Sequence, residues 1–187
     1  MNMLTPVVRN ILWYQAIWFL AILLGEAAVT PIFMLLTWHI ARSADRSAEF
    51  IVMLGCGALG YATDALLAAT GLYQFPSGSG DLPAPLWLLG LWLGFAGTLR
   101  HSLAPLAQRP LLLATLGLVG APTSYLAATR LGAVSFPHGI EPSLVIVGGA
   151  WFALLPLFCY LCRRCDRRLD KANSLVNTFA YKEGVSS

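Results

Sequence analysis

The run Ala48-Glu-Phe-Ile-Val-Met-Leu-Gly-Cys-Gly-Ala-Leu-Gly-Tyr-Ala-Thr-Asp-Ala-Leu-Leu-Ala-Ala-Thr-Gly71 decides the fold class. A helix of about 20 residues, rising 1.5 Å per residue, covers the hydrocarbon core of a bilayer. This run meets that length with two charges, Glu49 at its start and Asp64 deep inside it. It lacks the alternation of a barrel strand, so its backbone groups are best satisfied within a helix.

Working outward, similar runs repeat along the 187 residues, of which 57% are apolar and only 11% charged. A soluble domain carries about 25% charged residues, so most of this surface is expected to meet lipid. Polar or Pro/Gly punctuation separates six segments: about Val8–Gly25, Ala28–Arg42, Ala48–Gly71, Ala84–Ala104, Arg109–Leu131 and Pro142–Arg163. The expectation is an all-α integral membrane protein, a compact bundle of about six transmembrane helices over residues 1–165, followed by a tail at 166–187 that is basic and then polar. The first two segments are short for two full spans, and Gly25, Glu26 and Pro31 mark a turn between them. They are read as a short hairpin with Glu26 at its wet tip, a re-entrant pair being the alternative. Arg9 followed by Ile11–Leu24 has the outline of a signal peptide, but Gly25-Glu26-Ala27 is a poor cleavage site, and the helix is read as retained. Arg42–Glu49 reads as an aqueous loop and Gln74–Pro83 as a flexible one.

Cations set the orientation. With six spans and the C-terminus inside, Arg9, Arg42, Arg46, Arg100, Arg109, Arg163, Arg164, Arg167, Arg168, Lys171 and Lys182 fall at or near the cytoplasm, and only Arg130 falls outside. Both termini are therefore expected in the cytoplasm, in a bacterial inner membrane. Trp13, Tyr14, Trp38 and Tyr160 would lie near the inner interface, and Tyr73, Phe75 and Trp87 near the outer one.

Ionisable groups at membrane depth face the protein interior and often mark function. Gly57, Gly60, Tyr61, Asp64, Ala68 and Gly71 share one helix face, small and polar, that should pack against another helix. Asp64 is either a structural clamp or a proton carrier or substrate contact. Ser124, Tyr125 and Arg130, after the helix-kinking Pro122, are its candidate partners. In the fourth segment Gly90 and Gly94 form a GxxxG pair, and Gly94, Gly97, Thr98 and His101 are expected on one face. Arg100 reads as a snorkelling cation. His101 is either a satisfied interior histidine or an acid–base group; at a depth different from that of Asp64, it does not pair with it directly. His39 lies at the level of His101, but no carboxylate or third histidine is evident there, and neither a metal nor a cofactor is expected. Cys159, Cys162 and Cys165, three apart on one helix, cannot supply a tetrahedral zinc set and read as ordinary helix-end cysteines. The basic stretch Arg163–Lys171 is a topology anchor touching anionic headgroups; no nucleic-acid partner is expected.

Tyr61-Ala-Thr-Asp64, Trp92-Leu-Gly-Phe-Ala-Gly-Thr-Leu-Arg-His-Ser-Leu103, Gly120-Ala-Pro-Thr-Ser-Tyr-Leu126 and Arg130-Leu-Gly-Ala133 resemble a family of small polytopic bacterial inner-membrane proteins catalogued as a domain of unknown function. In that family an Asn often precedes the His-Ser pair, where this chain has Arg100. The resemblance implies no activity. Its genes often lie near those of fatty-acid-modifying enzymes, which implies a lipid link only by association. The leading expectation is an accessory membrane factor linked to lipid or fatty-acid modification. Its expected partners are membrane lipids, with a membrane-bound enzyme or a second copy of the chain as further candidates. A small proton-coupled transporter using Asp64 is the alternative, and an intramembrane enzyme using His101 comes last.

Overall fold

The computed structural model describes residues 4–76 and 84–185. Of the Gln74–Pro83 loop, residues 77–83 lie outside the described residues, as do 1–3, 186, 187 and the side chains of 4, 173 and 175–185, Lys182 among them. The described residues form six α-helices: α1 (Leu4–Leu24), α2 (Val29–Arg42), α3 (Arg46–Ala69), α4 (Leu86–Ala96), α5 (Pro110–Arg130) and α6 (Ile140–Val185). A single 3-10 turn, Gly25–Ala28, joins α1 to α2, and a second, Ala104–Leu106, precedes α5. Among the described residues, four helical stretches are long and apolar enough to cross a membrane: Thr5–Arg42, Arg46–Ala69, Pro110–Arg130 and Ile140–Ala172. Leu86–Ala96 is apolar but shorter.

The first stretch doubles back. Gly25 takes φ +56°, a left-handed conformation open to glycine at no steric cost. Beyond it α2 returns along α1, so that Trp13 Nε1 donates to the Leu35 carbonyl at 3.3 Å and the Trp13 ring stacks on His39 at 4.2 Å. The hairpin expected from Gly25, Glu26 and Pro31 is present. Its tip does further work: Glu26, exposed, accepts from the backbone N–H of Leu86 at 3.1 Å. The carboxylate thereby satisfies one of the free donors at the start of α4, where negative charge is favoured.

Helix α4 sits between two walls, and glycines admit both. A Cβ on Gly90 would come within 2.6 Å of Ile32 of α2, and one on Gly94 within 3.0 Å of Ile17 of α1. On its other side, α3 presents Gly57 to Leu93 and Gly60 to the ring of Trp92. The GxxxG pair thus seats branched side chains of the hairpin. The fourth segment departs from expectation: its helix ends at Ala96, and residues 97–103 continue as turns. Gly97 and His101 therefore do not lie on one helix face with Gly94. Instead Gly97 makes room for Trp13, and its carbonyl accepts from Asn10 at 3.2 Å.

Helices α5 and α6 approach closely through a reciprocal pair. Gly117 of α5 faces the Trp151 backbone oxygen, and Gly148 of α6 faces the Leu118 oxygen, which a Cβ would meet at 3.0 Å. Leu118 is the residue whose carbonyl loses its helical partner because Pro122, four residues on, has no N–H. Gly148 lets α6 cover that carbonyl, and α5 continues through Pro122 as one helix. Past Cys165, α6 runs on to Val185, so Arg163–Lys171 prolongs the same helix.

Candidate functional site

Two polar clusters mark opposite ends of the bundle. The first grows from the small face of α3. Because Gly60 has no side chain, the Trp92 ring lies against α3, and its Nε1 reaches Asp64 Oδ2 at 2.8 Å, one helical turn further on. Gly71 (φ +80°) ends α3 and turns the chain back, which drops Tyr73 beneath the helix. Tyr73 Oη donates to Asp64 Oδ1 at 2.7 Å, and Tyr125 of α5 donates to the same oxygen at 2.6 Å. Asp64 is 3% exposed. With three donors fixed by aromatic rings, the carboxyl joins α3, α4, α5 and the segment after α3.

Of the expected partners, Tyr125 binds Asp64 directly. Ser124 instead accepts from Trp18 Nε1 at 2.9 Å, tying α1 to α5. Arg130 is exposed at the end of α5. Tyr61 donates to the Ala84 carbonyl at 2.6 Å and so anchors the approach to α4. Tyr73 and Trp92 were not legible as partners, Tyr73 because a turn rather than a helix face delivers it.

Asp64 borders a cavity of about 440 Å³. Its walls are mostly aromatic and aliphatic: Tyr14, Trp18 and Ile22 of α1, Trp87, Trp92 and Phe95 of α4, Gly117, Gly120, Ala121 and Tyr125 of α5, and Trp151 and Leu155 of α6. Trp92 and Trp151 stack at 5.0 Å, with Phe95 edge-on to both. Trp87 is 1% exposed, and among the described residues its indole N–H has no hydrogen-bond partner. Such a donor, buried in an apolar wall, is costly unless something accepts from it.

The second cluster lies at the other end. Glu49 was read as part of an aqueous loop, but it sits in the first turn of α3, fully buried. The N-terminus of α3 is capped by Asp45, whose Oδ1 accepts from Ala48 N at 3.0 Å. That start places Glu49 under α2 and the turns after α4. Glu49 Oε1 pairs with His39 Nε2 at 2.9 Å, and Oε2 with His101 Nε2 at 3.1 Å and with Arg100 at 3.0 Å. Ser43 Oγ donates to Oε2 at 3.3 Å. Arg100 also reaches Asp166 of α6 at 3.0 Å. The shared level of His39 and His101 is as read, their rings 5.0 Å apart. The carboxylate thought missing there is Glu49, and Arg100 is held in ion pairs rather than snorkelling freely. Glu49 could have been found: 49, 53, 56, 57, 60 and 64 form one buried stripe at helical spacing. The four cysteines are free, with Cys56, Cys159 and Cys162 buried.

Apolar helices of membrane-crossing length, closed around an aromatic cavity with a buried carboxyl at its edge, define a multi-pass helical membrane protein. The chain belongs to a family of proteins of unknown function (DUF2878), whose pattern matches residues 7–157. That span contains the whole cavity and both clusters except Asp166. No curated protein and no solved structure matches the chain.

Proposed function

We propose that this protein is an accessory factor of a bacterial inner membrane that holds a glycerolipid, one acyl chain lying in the aromatic cavity. The observation that carries the reading is the Trp87 N–H, buried without a partner in the wall of a cavity otherwise suited to hydrocarbon. A glycerolipid offers an ester carbonyl as acceptor at the head of an apolar chain, which matches a donor set in an apolar wall. The lipid link implied by the family resemblance points the same way. In this reading all six helices cross the bilayer, α2 and α4 being lengthened by the turns that adjoin them. Both termini face the cytoplasm, which puts the Glu49 cluster at the inner side and the Asp64 cluster toward the outer side.

Mass spectrometry of the protein purified in mild detergent tests the reading. A glycerophospholipid should copurify with the wild type and be lost from Gly120→Phe, since a Cβ at Gly120 meets nothing within 4 Å and the residue lines the cavity. Trp87→Phe, which removes the donor and keeps an aromatic ring in the wall, should weaken retention. Equal lipid content in all three proteins would overturn the proposal.

A second reading, a small proton-coupled transporter, is favoured by one observation: the Asp64 carboxyl borders the same cavity. It requires pH-dependent uptake that Asp64→Asn abolishes; uptake unaffected by that change removes it.

A further inference from the structure

We propose that His39, Glu49 and His101 form a binding site for a first-row divalent cation, Zn²⁺ by the chemistry of the set, at the end of the bundle opposite the aromatic cavity. Each offers one ligand atom, and those atoms lie within 4.8 Å of one another. Two imidazoles and a carboxylate are a donor set that zinc accepts at about 2.0–2.2 Å. At those bond lengths tetrahedral ligand atoms lie roughly 3.3 Å apart, so rotation of side chains closes the set without moving a helix.

The surroundings are those of a metal site. The three ligands come from three different elements, α2, the first turn of α3 and the turns after α4, so the geometry belongs to the fold and not to one flexible loop. The Trp13 ring stacks on His39 with an interplanar angle of 17°, which fixes the orientation of that imidazole. Arg100 and Ser43 both hold Glu49 Oε2, so that oxygen stays tethered when Oε1 turns to a cation. Oxygen-side hydrogen bonds of this kind orient a ligating carboxylate. The charge also favours a cation. Arg100 is shared between Glu49 and Asp166, which makes two carboxylates to one guanidinium, a net charge of −1 when the histidines are neutral. Three protein ligands leave a coordination position open. His101, with a side chain 36% exposed, lines a cavity of about 360 Å³ beside it.

The competing account is a purely ion-paired Glu49, satisfied by its four donors. The two differ in what the histidines do when a metal is offered. Titration of the chelator-treated full chain in mild detergent with Co²⁺, a spectroscopic substitute for Zn²⁺, distinguishes them. The wild type should take up one equivalent, show the visible ligand-field bands of low-coordinate Co²⁺, and lose them to Zn²⁺. His39→Ala, His101→Ala and Glu49→Gln should each weaken binding by more than the roughly 10- to 100-fold typical of an outer-shell change. His101→Ala decides the matter if the more buried variants do not elute as folded, monodisperse protein. Absence of stoichiometric binding by the wild type would overturn the proposal. So would binding that His101→Ala leaves unchanged, or a thiolate charge-transfer band surviving in that variant, which would assign the metal to Cys159 or Cys162 beside the same cavity.

Discussion

The indole of Trp92 rests on the bare Cα of Gly60 and, from there, reaches the carboxyl of Asp64. Neither the ring nor the hydrogen bond would fit if residue 60 carried a side chain. Gly60→Ala should therefore cost about 1–3 kcal/mol as an overpacked contact, read as a lower Tm in detergent. Gly55→Ala on the same helix, where a Cβ meets nothing within 4 Å, is the control and should leave Tm close to that of the wild type.

Removing the carboxyl should be worse than removing any one of its donors. Asp64→Ala strands Tyr125 and Trp92, each a donor costing about 1–3 kcal/mol when unpaired, and leaves Tyr73 only the longer contact, 3.3 Å, to the Asp64 backbone carbonyl. Tyr73→Phe removes one hydroxyl, shared between the Asp64 carboxylate and the Asp64 carbonyl, worth about 0.5–1.5 kcal/mol. Equal losses of detergent stability in the two variants would show that Asp64 does not organise this end of the bundle.

At the other end, Glu49→Ala leaves Arg100 with Asp166 as its ion-pair partner beside the Asp45 carbonyl, and strips both histidines of their carboxylate. Breaking a buried pair in this way typically costs about 3–5 kcal/mol. Loss of folded protein on expression, or a large fall in Tm, is the expected outcome. A Glu49→Ala variant as stable as the wild type would return Glu49 to the aqueous loop that its neighbours Asp45 and Arg46 suggest.

The bond from Trp18 to Ser124 is predicted to matter little. Interhelical hydrogen bonds in membranes average about 0.6 kcal/mol, and Ser124→Ala should lower stability by roughly that amount. A loss above 2 kcal/mol, measured by unfolding in detergent, would mean that this contact alone docks the hairpin on α5.

Reporter fusions at Ser187 and in the α5–α6 turn test the orientation. The first should report cytoplasm and the second the far side; the reverse pattern contradicts the cation count.

How much of this was legible depends on what held each residue in place. The helices, the hairpin at Gly25 and the inward face of α3 follow from spacing, because apolar length and small-residue stripes are local signals. Tyr125 was found beside Asp64 because both lie at comparable depth on straight helices. Trp92 was missed because its role needs Gly60 on another helix. Tyr73 was missed because the Gly71 turn, not a helix face, delivers it. Glu49 was misassigned because charged neighbours made its turn of helix look like loop, although its place in the buried stripe was visible. The helical face through Gly97 and His101 failed because α4 ends at Ala96, where Gly97 and Thr98 follow at once.

Glu49 and Asp64 stand on one uninterrupted helix, about 22 Å apart at its rise per residue. They are thus the two ends of a single stiff spindle whose middle, at Gly57 and Gly60, bears against α4. Any twist of α3 about its axis must swing both carboxylates through the same angle, so neither end can be reset without disturbing the other.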